Sequence, residues 1–191
     1  MTKTAPERMQ ETDVIELLIA QHGVIRNMFD DVEQAAPDKR KEAFTRLVRM
    51  LAVHETAEEE ILHPFARTAM DGGSAVVDDR LQEENEAKQL LQQMDQAGVD
   101  APDFMENLQV LRAAVEAHAR AEERYEFSKI IQHTSEAQRR ALGAGVKAAE
   151  AMAPTHPHPG VESATKNVLM GTPMAMMDRV KDVIRKAMKK D

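Results

Sequence analysis

Two short segments of this sequence share a pattern that is typical of metal binding. His54 is followed four residues later by Glu58, and His118 is followed four residues later by Glu122; both segments read His-x-x-Ala-Glu-Glu. Residues four apart on an α-helix lie one above the other on one face, about 6 Å apart along the axis. An imidazole nitrogen and a carboxylate at that spacing reach the same metal centre.

Two helices of this kind that face each other predict a site for two metal ions. The carboxylates of Glu58 and Glu122 would bridge the two ions, and each histidine would bind one of them. The mixture of nitrogen and oxygen ligands favours iron or manganese over magnesium, although zinc also accepts these ligands.

Further candidate ligands come from the first and third predicted helices. His22 lies on the apolar stripe of the first helix, so it is either a ligand or a core histidine with a satisfied hydrogen bond. Aligning the apolar pattern of the third helix with that of the first places Glu84 opposite His22, whereas a register shifted by one residue places Asn85 there. Glu84 is preferred because the shifted register puts Lys88 at an apolar position. The alternative is that Glu84 belongs to a solvated acidic run.

Tyr125, the single tyrosine of the chain, follows His118 by seven residues and is predicted to share a face with His118 and Glu122. A phenol there would ligate ferric iron or donate a hydrogen bond to a bound oxygen species; the alternative is a core tyrosine with its hydroxyl satisfied. The remaining histidines are predicted to be structural. His63 in particular lies nine residues after His54, about half a turn away from its face on a regular helix. The others are His133, His156 and His158.

Hydrophobic periodicity predicts the helices that position these residues. Thr12 or Asp13 is expected to cap the first helix, and Pro64 to kink the second or end its regular part. The predicted helices run over about 12–34, 38–69, 74–97, 100–133 and 135–152. Short connections between long helices predict an all-α fold, an antiparallel up-down four-helix bundle over residues 1–152.

The chain beyond this bundle has a different composition. Residues 153–160 alternate proline with histidine and small residues and are predicted to form an extended linker. Residues 161–191 are predicted to form an amphipathic helical tail with a methionine-rich apolar stripe and a basic face. The expected role of the tail is to pack on its own bundle or on a second subunit, and the alternative is a membrane surface.

Composition excludes several classes of function. The 191 residues contain no cysteine, which excludes disulfides, thiolate-bound metals and thiol catalysis. A formal net charge of −8 disfavours a nucleic-acid partner bound through a broadly basic surface. No signal peptide and no transmembrane segment is apparent, so the expected compartment is the cytoplasm.

The arrangement of His22, His54-x3-Glu58, Glu84 or Asn85, and His118-x3-Glu122 resembles the hemerythrin-like (HHE) domain, over roughly residues 10–135. The resemblance implies a four-helix bundle that holds two iron ions in an oxo- and carboxylate-bridged di-iron centre. It further implies that His22, His54 and His118 bind iron and that Glu58 and Glu122 bridge. A ferritin-like site, by contrast, would need two Glu-x-x-His motifs, of which the chain has one, at Glu60–His63.

This sequence departs from the family in its third helix, where members usually carry a histidine and this chain offers Glu84 or Asn85. Anionic oxygen ligands favour the ferric state, which disfavours reversible oxygen carriage. The resemblance to bacterial members therefore implies an oxidoreductase that disproportionates hydrogen peroxide or reduces nitric oxide. The alternatives are a protein that binds dioxygen or nitric oxide, or senses iron, without turnover, and a helical bundle without metal.

Overall fold

The computed structural model describes residues 12–153, which form an all-α fold without a strand in that range. The helical elements are α1 (Val14–Gln34), α2 (Pro37–Ala57), π1 (Glu58–Leu62), α3 (His63–Ala69), α4 (Gly73–Ala97), α5 (Phe104–Ala121), π2 (Glu122–Phe127), α6 (Ser128–His133) and α7 (Glu136–Glu150). The segments α2, π1 and α3 follow one another without a break, as do α5, π2 and α6. With α1 and α4 they make the four long helices of an antiparallel bundle, and α7 is a fifth helix packed against it.

Local sequence signals set most of the helix ends. The Asp13 side chain accepts a hydrogen bond from the backbone N–H of Ile15 at 2.9 Å and so caps α1, as predicted. Pro37 occupies the first turn of α2, where its missing N–H costs nothing. Gly98 follows α4 with a φ of 80°, a left-handed conformation that favours glycine. Ser135 and Gln138 form a capping box at the start of α7.

The second and fourth long helices each contain a π-helical turn that begins at the glutamate of a His-x-x-x-Glu motif. In π1, the N–H of His63 donates to the carbonyl of Glu58, five residues earlier. A π turn holds one more residue than an α turn, so it rotates everything that follows it relative to a regular helix. Pro64 then falls in the first turn of α3, where the helix tolerates the missing backbone N–H of a proline. The predicted irregularity at Pro64 therefore takes the form of a π turn before it.

The core consists of two apolar clusters with a polar layer between them. One cluster contains Leu18, Leu62 and Phe127, and the other contains Ile25, Leu51 and Leu111. His22 lies between Leu18 and Ile25 on α1, and the other long helices place charged side chains at the same level. The apolar clusters thus hold the helices together above and below the polar layer.

Helix α7 is fixed against the start of α1 by several contacts. A β-carbon on Gly143 would overlap the carbonyl oxygen of Thr12, so the glycine allows a close approach of the two backbones. Arg139 binds Asp13 at 2.6 Å, and the ammonium of Lys147 donates to the hydroxyl of Thr12 at 3.1 Å.

The predicted tail, 161–191, and the predicted linker, 153–160, lie outside the described residues apart from Ala153. None of the helices in residues 12–153 combines the length and the apolar character that a membrane-spanning helix needs.

Candidate metal centre

The polar layer brings the predicted histidines and glutamates together in two overlapping groups. Within each group the possible ligand atoms lie within 4.8 Å of one another, and all of the residues are buried. One group contains His22, His54, Glu58 and Glu122, and the other contains Glu58, Glu84, His118 and Glu122. Glu58 and Glu122 belong to both groups and have no solvent exposure. Each shared carboxylate offers two oxygens, which is the geometry that a bridging carboxylate needs.

The distances between the ligand atoms fit a common metal ion. His22 Nε2 lies 3.3 Å from Glu122 Oε2, His54 Nε2 lies 3.4 Å from Glu58 Oε2, and His118 Nε2 lies 3.5 Å from Glu122 Oε2. Two atoms that each lie about 2.1 Å from one ion are about 3.0–3.4 Å apart when they subtend roughly 90–110° at it. Nitrogen–oxygen pairs at this separation therefore match ligands that share a metal.

Many of the inward-facing atoms have no hydrogen-bond partner among the described residues. They are His22 Nε2, His118 Nε2, both carboxylate oxygens of Glu58 and of Glu122, and one oxygen each of Glu84 and Glu126. A buried polar atom without a partner is costly, and a buried carboxylate without a nearby cation more so. Cations that bind these atoms would remove that cost, so the residues present fit a metal centre.

Outward-facing hydrogen bonds fix the orientation of each histidine ring. His22 Nδ1 lies 2.9 Å from Glu123 Oε1, His118 Nδ1 lies 3.0 Å from Glu83 Oε2, and His54 Nδ1 lies 2.8 Å from Gln21 Oε1. Because these oxygens accept, each Nδ1 carries a hydrogen, and Nε2 is the ring nitrogen that faces the ligand groups and binds a metal once it holds no proton. Acceptors of this kind set the tautomer of metal-binding histidines and raise their basicity. The ring of His22 also stacks on Phe127, with centroids 5.8 Å apart.

The third long helix contributes Glu84, as the preferred alignment predicted, and not Asn85. Glu84 is 1% exposed and belongs to the second ligand group, whereas Asn85 belongs to neither group. Lys88, one turn further along α4, is also buried, contrary to the expectation that it would avoid the interior. Its ammonium pairs with Glu59, lies 3.9 Å from Glu55 and lies 3.8 Å from Glu84. These three carboxylates make the buried lysine tolerable.

His63 and Glu126 join the polar layer, although neither was predicted to do so. His63 is 1% exposed; its Nε2 lies 2.6 Å from Glu84 Oε1 and its Nδ1 lies 3.1 Å from Glu126 Oε1. His63 and Glu126 also form a third possible ligand group with Glu122. The prediction that His63 faces away from the site was wrong because the π turn at Glu58 rotates α3. Glu126 lies four residues after Glu122, a spacing that sequence reasoning had available and did not use.

Tyr125 is not brought to this cluster. Its side chain is 51% exposed, and its ring meets the guanidinium of Arg124 at 5.3 Å. The predicted shared face with His118 assumed a regular helix, whereas the intervening π2 turn rotates Tyr125 outward and Glu126 inward. The phenol therefore has no contact with the ligand groups.

The buried histidines and carboxylates of the cluster change one another's pKa values. Burial and the neighbouring Glu122 raise the pKa of Glu58 well above its usual value. Burial also opposes ionisation of Glu84, but the nearby His63 prevails and lowers the pKa of Glu84 to about 2. Although burial disfavours a charged imidazole, Glu126 and Glu84 raise the pKa of His63 well above its usual value, and Glu122 does the same for His118. The imidazoles of His63 and His118 and the neighbouring carboxylates thus favour one another's charged forms.

His54 and Glu55 behave differently because burial dominates at both. Burial and the proximity of His22 lower the pKa of His54 to about 3, so this imidazole is neutral and ready to bind a metal at neutral pH. Burial raises the pKa of Glu55 to about 7, against the opposing influence of Lys88. A carboxyl group in this range holds a proton near neutral pH and releases it easily.

A small cavity of about 10 Å³, room for about one water-sized molecule, adjoins the histidine side of the cluster. It is lined by His22, Ile25, Arg26, Leu51, His54, Glu55, Val115, Glu116, His118 and Ala119. Three inward-facing histidines therefore border a small, mostly apolar space.

Comparison with known proteins agrees with this geometry. The family model described as the hemerythrin HHE cation binding domain matches residues 13–130. A protein described as a DNA nickase, from Nostoc sp. (strain PCC 7120 / SAG 25.82 / UTEX 2576), is 28% identical over 142 residues. That alignment spans 74% of this chain and 40% of the Nostoc protein. No solved structure matches the chain significantly.

The family match covers more than half of the chain and includes every residue of the two ligand groups. Imidazoles and carboxylates that are buried together, as in this cluster, are the kind of side chains that a cation-binding domain uses. The chain therefore belongs to the hemerythrin HHE cation-binding domain family.

Proposed function

We propose that this chain holds two iron ions in the polar layer and acts as an oxidoreductase on small oxygen or nitrogen species. The candidate reactions are disproportionation of hydrogen peroxide and reduction of nitric oxide, in the context of oxidative or nitrosative stress. The observation that carries the proposal is that the two ligand groups share Glu58 and Glu122, with the remaining ligands divided between them.

In this proposal the first ion is bound by His22 and His54, and the second by Glu84 and His118. Glu58 and Glu122, which belong to both ligand groups, would be shared by the two ions. His63 lies on the far side of Glu84 and orients its carboxylate through the 2.6 Å contact. Nitrogen and carboxylate ligands together suit iron.

The ligand set supports redox turnover more than reversible oxygen carriage. The second ion has one histidine among its proposed ligands, and the others are carboxylates. Anionic oxygen ligands stabilise the ferric state and so work against a ferrous form that returns dioxygen intact. When bound, the irons would supply a change of oxidation state and an open coordination position for the small molecule.

The chain itself supplies a space beside the proposed ligands and a proton donor. A small cavity borders His22, His54 and His118, and a diatomic molecule such as nitric oxide is little larger than the water it has room for. The Glu55 carboxyl lines that cavity beside His54, so it faces a small molecule that enters there, and a carboxyl group in that position can give or take a proton. Glu55 is therefore the proposed proton donor, a role that the exposed Tyr125 has no geometry to fill.

Oxygen release from hydrogen peroxide tests this function. Iron-loaded wild-type protein is compared with the His54→Ala variant, which removes one proposed ligand, and with His133→Ala, which removes an exposed histidine on α6. We expect turnover by the wild type and the control and a large loss in His54→Ala. Nitric oxide consumption in the presence of a reductant is measured on the same three proteins. Equal rates in all three for both substrates would contradict the proposal.

The second candidate is a protein that binds dioxygen or nitric oxide, or senses iron, without turnover. The same buried ligands and the same cavity favour it, since both functions need an open metal position. A stable oxygen adduct that reverses under vacuum would distinguish this candidate from the enzyme.

The activity named for the Nostoc relative is not extended to this chain. The chain aligns with 40% of that protein, so the similarity does not show that this chain nicks DNA. The net charge of −8 also disfavours binding to nucleic acid through a broadly basic surface.

A further inference from the structure

The fifth helix reaches the metal centre through a chain of two hydrogen bonds. Nδ1 of His54 lies 2.8 Å from Oε1 of Gln21, and Nε2 of Gln21 donates to Oε1 of Glu150 at 2.5 Å. Glu150 is the last residue of α7 and lies beyond the family match, which ends at residue 130. The two hydrogen bonds therefore connect His54, a proposed ligand, to α7, a helix that lies outside the family match.

His54 differs from the other histidines in its outward partner. His22, His118 and His63 each have Nδ1 within hydrogen-bond distance of a carboxylate, whereas His54 has the neutral side-chain amide of Gln21. An amide offers a donor on one side and an acceptor on the other, so by itself it fits either tautomer of His54. Something else has to decide which way the amide faces.

The hydrogen bond to Glu150 fixes the orientation of the Gln21 amide. An ionised carboxylate only accepts hydrogen bonds, so it holds the NH₂ group of Gln21 and turns the amide oxygen toward His54. That oxygen accepts the Nδ1 hydrogen, which leaves the lone pair of Nε2 directed at the ligand group with Glu58 and Glu122. The contacts of α7 at Asp13 and Thr12 keep Glu150 in place, and buried Ala149 beside it packs in the core.

We propose that Glu150 is a positioning residue for the metal centre, which sets the orientation of Gln21 and through it the tautomer of His54. This inference rests on the proposed metal centre but not on the reaction carried out there. Partners of this kind, one step removed from a metal, typically change metal affinity about 10- to 100-fold when they are lost.

Two variants at position 150 test the inference. Glu150→Ala removes the acceptor, and Glu150→Gln replaces the acceptor-only carboxylate with an amide that accepts or donates and so fits either orientation of Gln21. Glu136→Ala is the matched control, because Glu136 lies on the same helix, is exposed and pairs with Arg140. Gln21→Met breaks the same chain of hydrogen bonds with α7 intact, and it decides the matter if Glu150→Ala does not fold.

The first readout is the tautomer of His54 in metal-free protein, from long-range ¹H–¹⁵N spectra of histidine-labelled samples. We expect the Nδ1–H form in the wild type and Glu136→Ala. In Glu150→Ala, Glu150→Gln and Gln21→Met we expect a mixture of tautomers. An unchanged His54 spectrum in Glu150→Ala, or in Gln21→Met if the former does not fold, would overturn the inference, as would equal disturbance by Glu136→Ala.

The second readout is the affinity for ferrous iron, measured anaerobically against a competing chelator. We expect binding about 10-fold weaker or more in Glu150→Ala and Glu150→Gln and unchanged in Glu136→Ala. Equal affinity in Glu150→Ala and the wild type would overturn the inference. Failure of the wild type to bind iron would instead defeat the proposed function, and the metal-free spectra would still decide the role of Glu150.

Discussion

His63 Nε2 lies 2.6 Å from Glu84 Oε1, although the two residues belong to different long helices and a regular helix would turn His63 away. The contact exists because the π turn at Glu58 adds one residue before α3 and brings His63 round to the ligand side. π turns inside α-helices are frequently found at functional sites. Here one begins at each shared carboxylate, so the irregular backbone and the proposed bridging ligands coincide.

Replacing His63 is expected to weaken metal binding without unfolding the bundle. His63→Gln removes an imidazole that orients Glu84 and Glu126, so we expect iron affinity to fall about 10- to 100-fold. Chelator competition measures the change. His133→Gln is the control, because His133 is exposed and its Nδ1 contacts the carbonyl of Lys129. Equal affinity in the two variants would show that His63 has no part in the centre.

Metal binding is expected to release protons and to strengthen as the pH rises. Without bound metal, the proposed ligands His118 and Glu58 both have raised pKa values, which favours their protonated forms near neutral pH. A metal ligand must give up its proton, so protons compete with the metal. Titration with ferrous iron in two buffers of different ionisation enthalpy measures the release. Binding with no proton release between pH 6 and 8 (roughly the range in which histidines titrate) would contradict these shifts.

Glu55→Gln is expected to separate turnover from metal binding. The variant removes a titratable carboxyl from the cavity and keeps its shape, so we expect iron content to be unchanged. Loss of a general acid typically lowers the rate about 10²- to 10⁴-fold. Peroxide decomposition measured beside iron content checks both statements. Tyr125→Phe is the control; its exposed phenol should be dispensable, and a comparable loss there would point back to a role for that side chain.

A pair of glycine substitutions tests how α7 is held. Gly143→Ala forces a β-carbon onto the Thr12 carbonyl, and we expect it to lower the free energy of unfolding by about 1–3 kcal/mol. Gly23→Ala, inside α1, meets its nearest atom at 4.0 Å and should be neutral or add up to about 1 kcal/mol through helix propensity. Thermal and denaturant unfolding compare the two. A stable Gly143→Ala protein would mean that α7 does not pack as described.

The sequence predicted the parts of the site that depend on regular helical spacing. His54 with Glu58 and His118 with Glu122 are i, i+4 pairs that lie on α-helical turns up to the glutamate. His22 was found because it interrupts an apolar stripe. The long helices themselves follow from apolar periodicity. The cap at Asp13 was predictable because an aspartate side chain accepts hydrogen bonds from the first backbone N–H groups of a helix.

The errors came where the backbone leaves that regularity or where burial depends on tertiary partners. No periodicity in the sequence marks the π turns. A regular helix therefore predicts that Tyr125 faces the site and that His63 faces away from it, and both predictions were wrong. Pro64 signalled an irregularity without giving its kind. Lys88 was excluded from the interior on its residue type alone, because its carboxylate partners on α2 and π1 come together with it only in the folded bundle.

The iron content per chain, measured after anaerobic loading and removal of loosely bound metal, tests the central claim most directly. Two irons are expected in the wild type. Glu122→Ala removes a carboxylate shared by both ligand groups and should hold fewer than one. A wild-type protein with fewer than one iron per chain, or a Glu122→Ala variant that keeps two, would contradict the account.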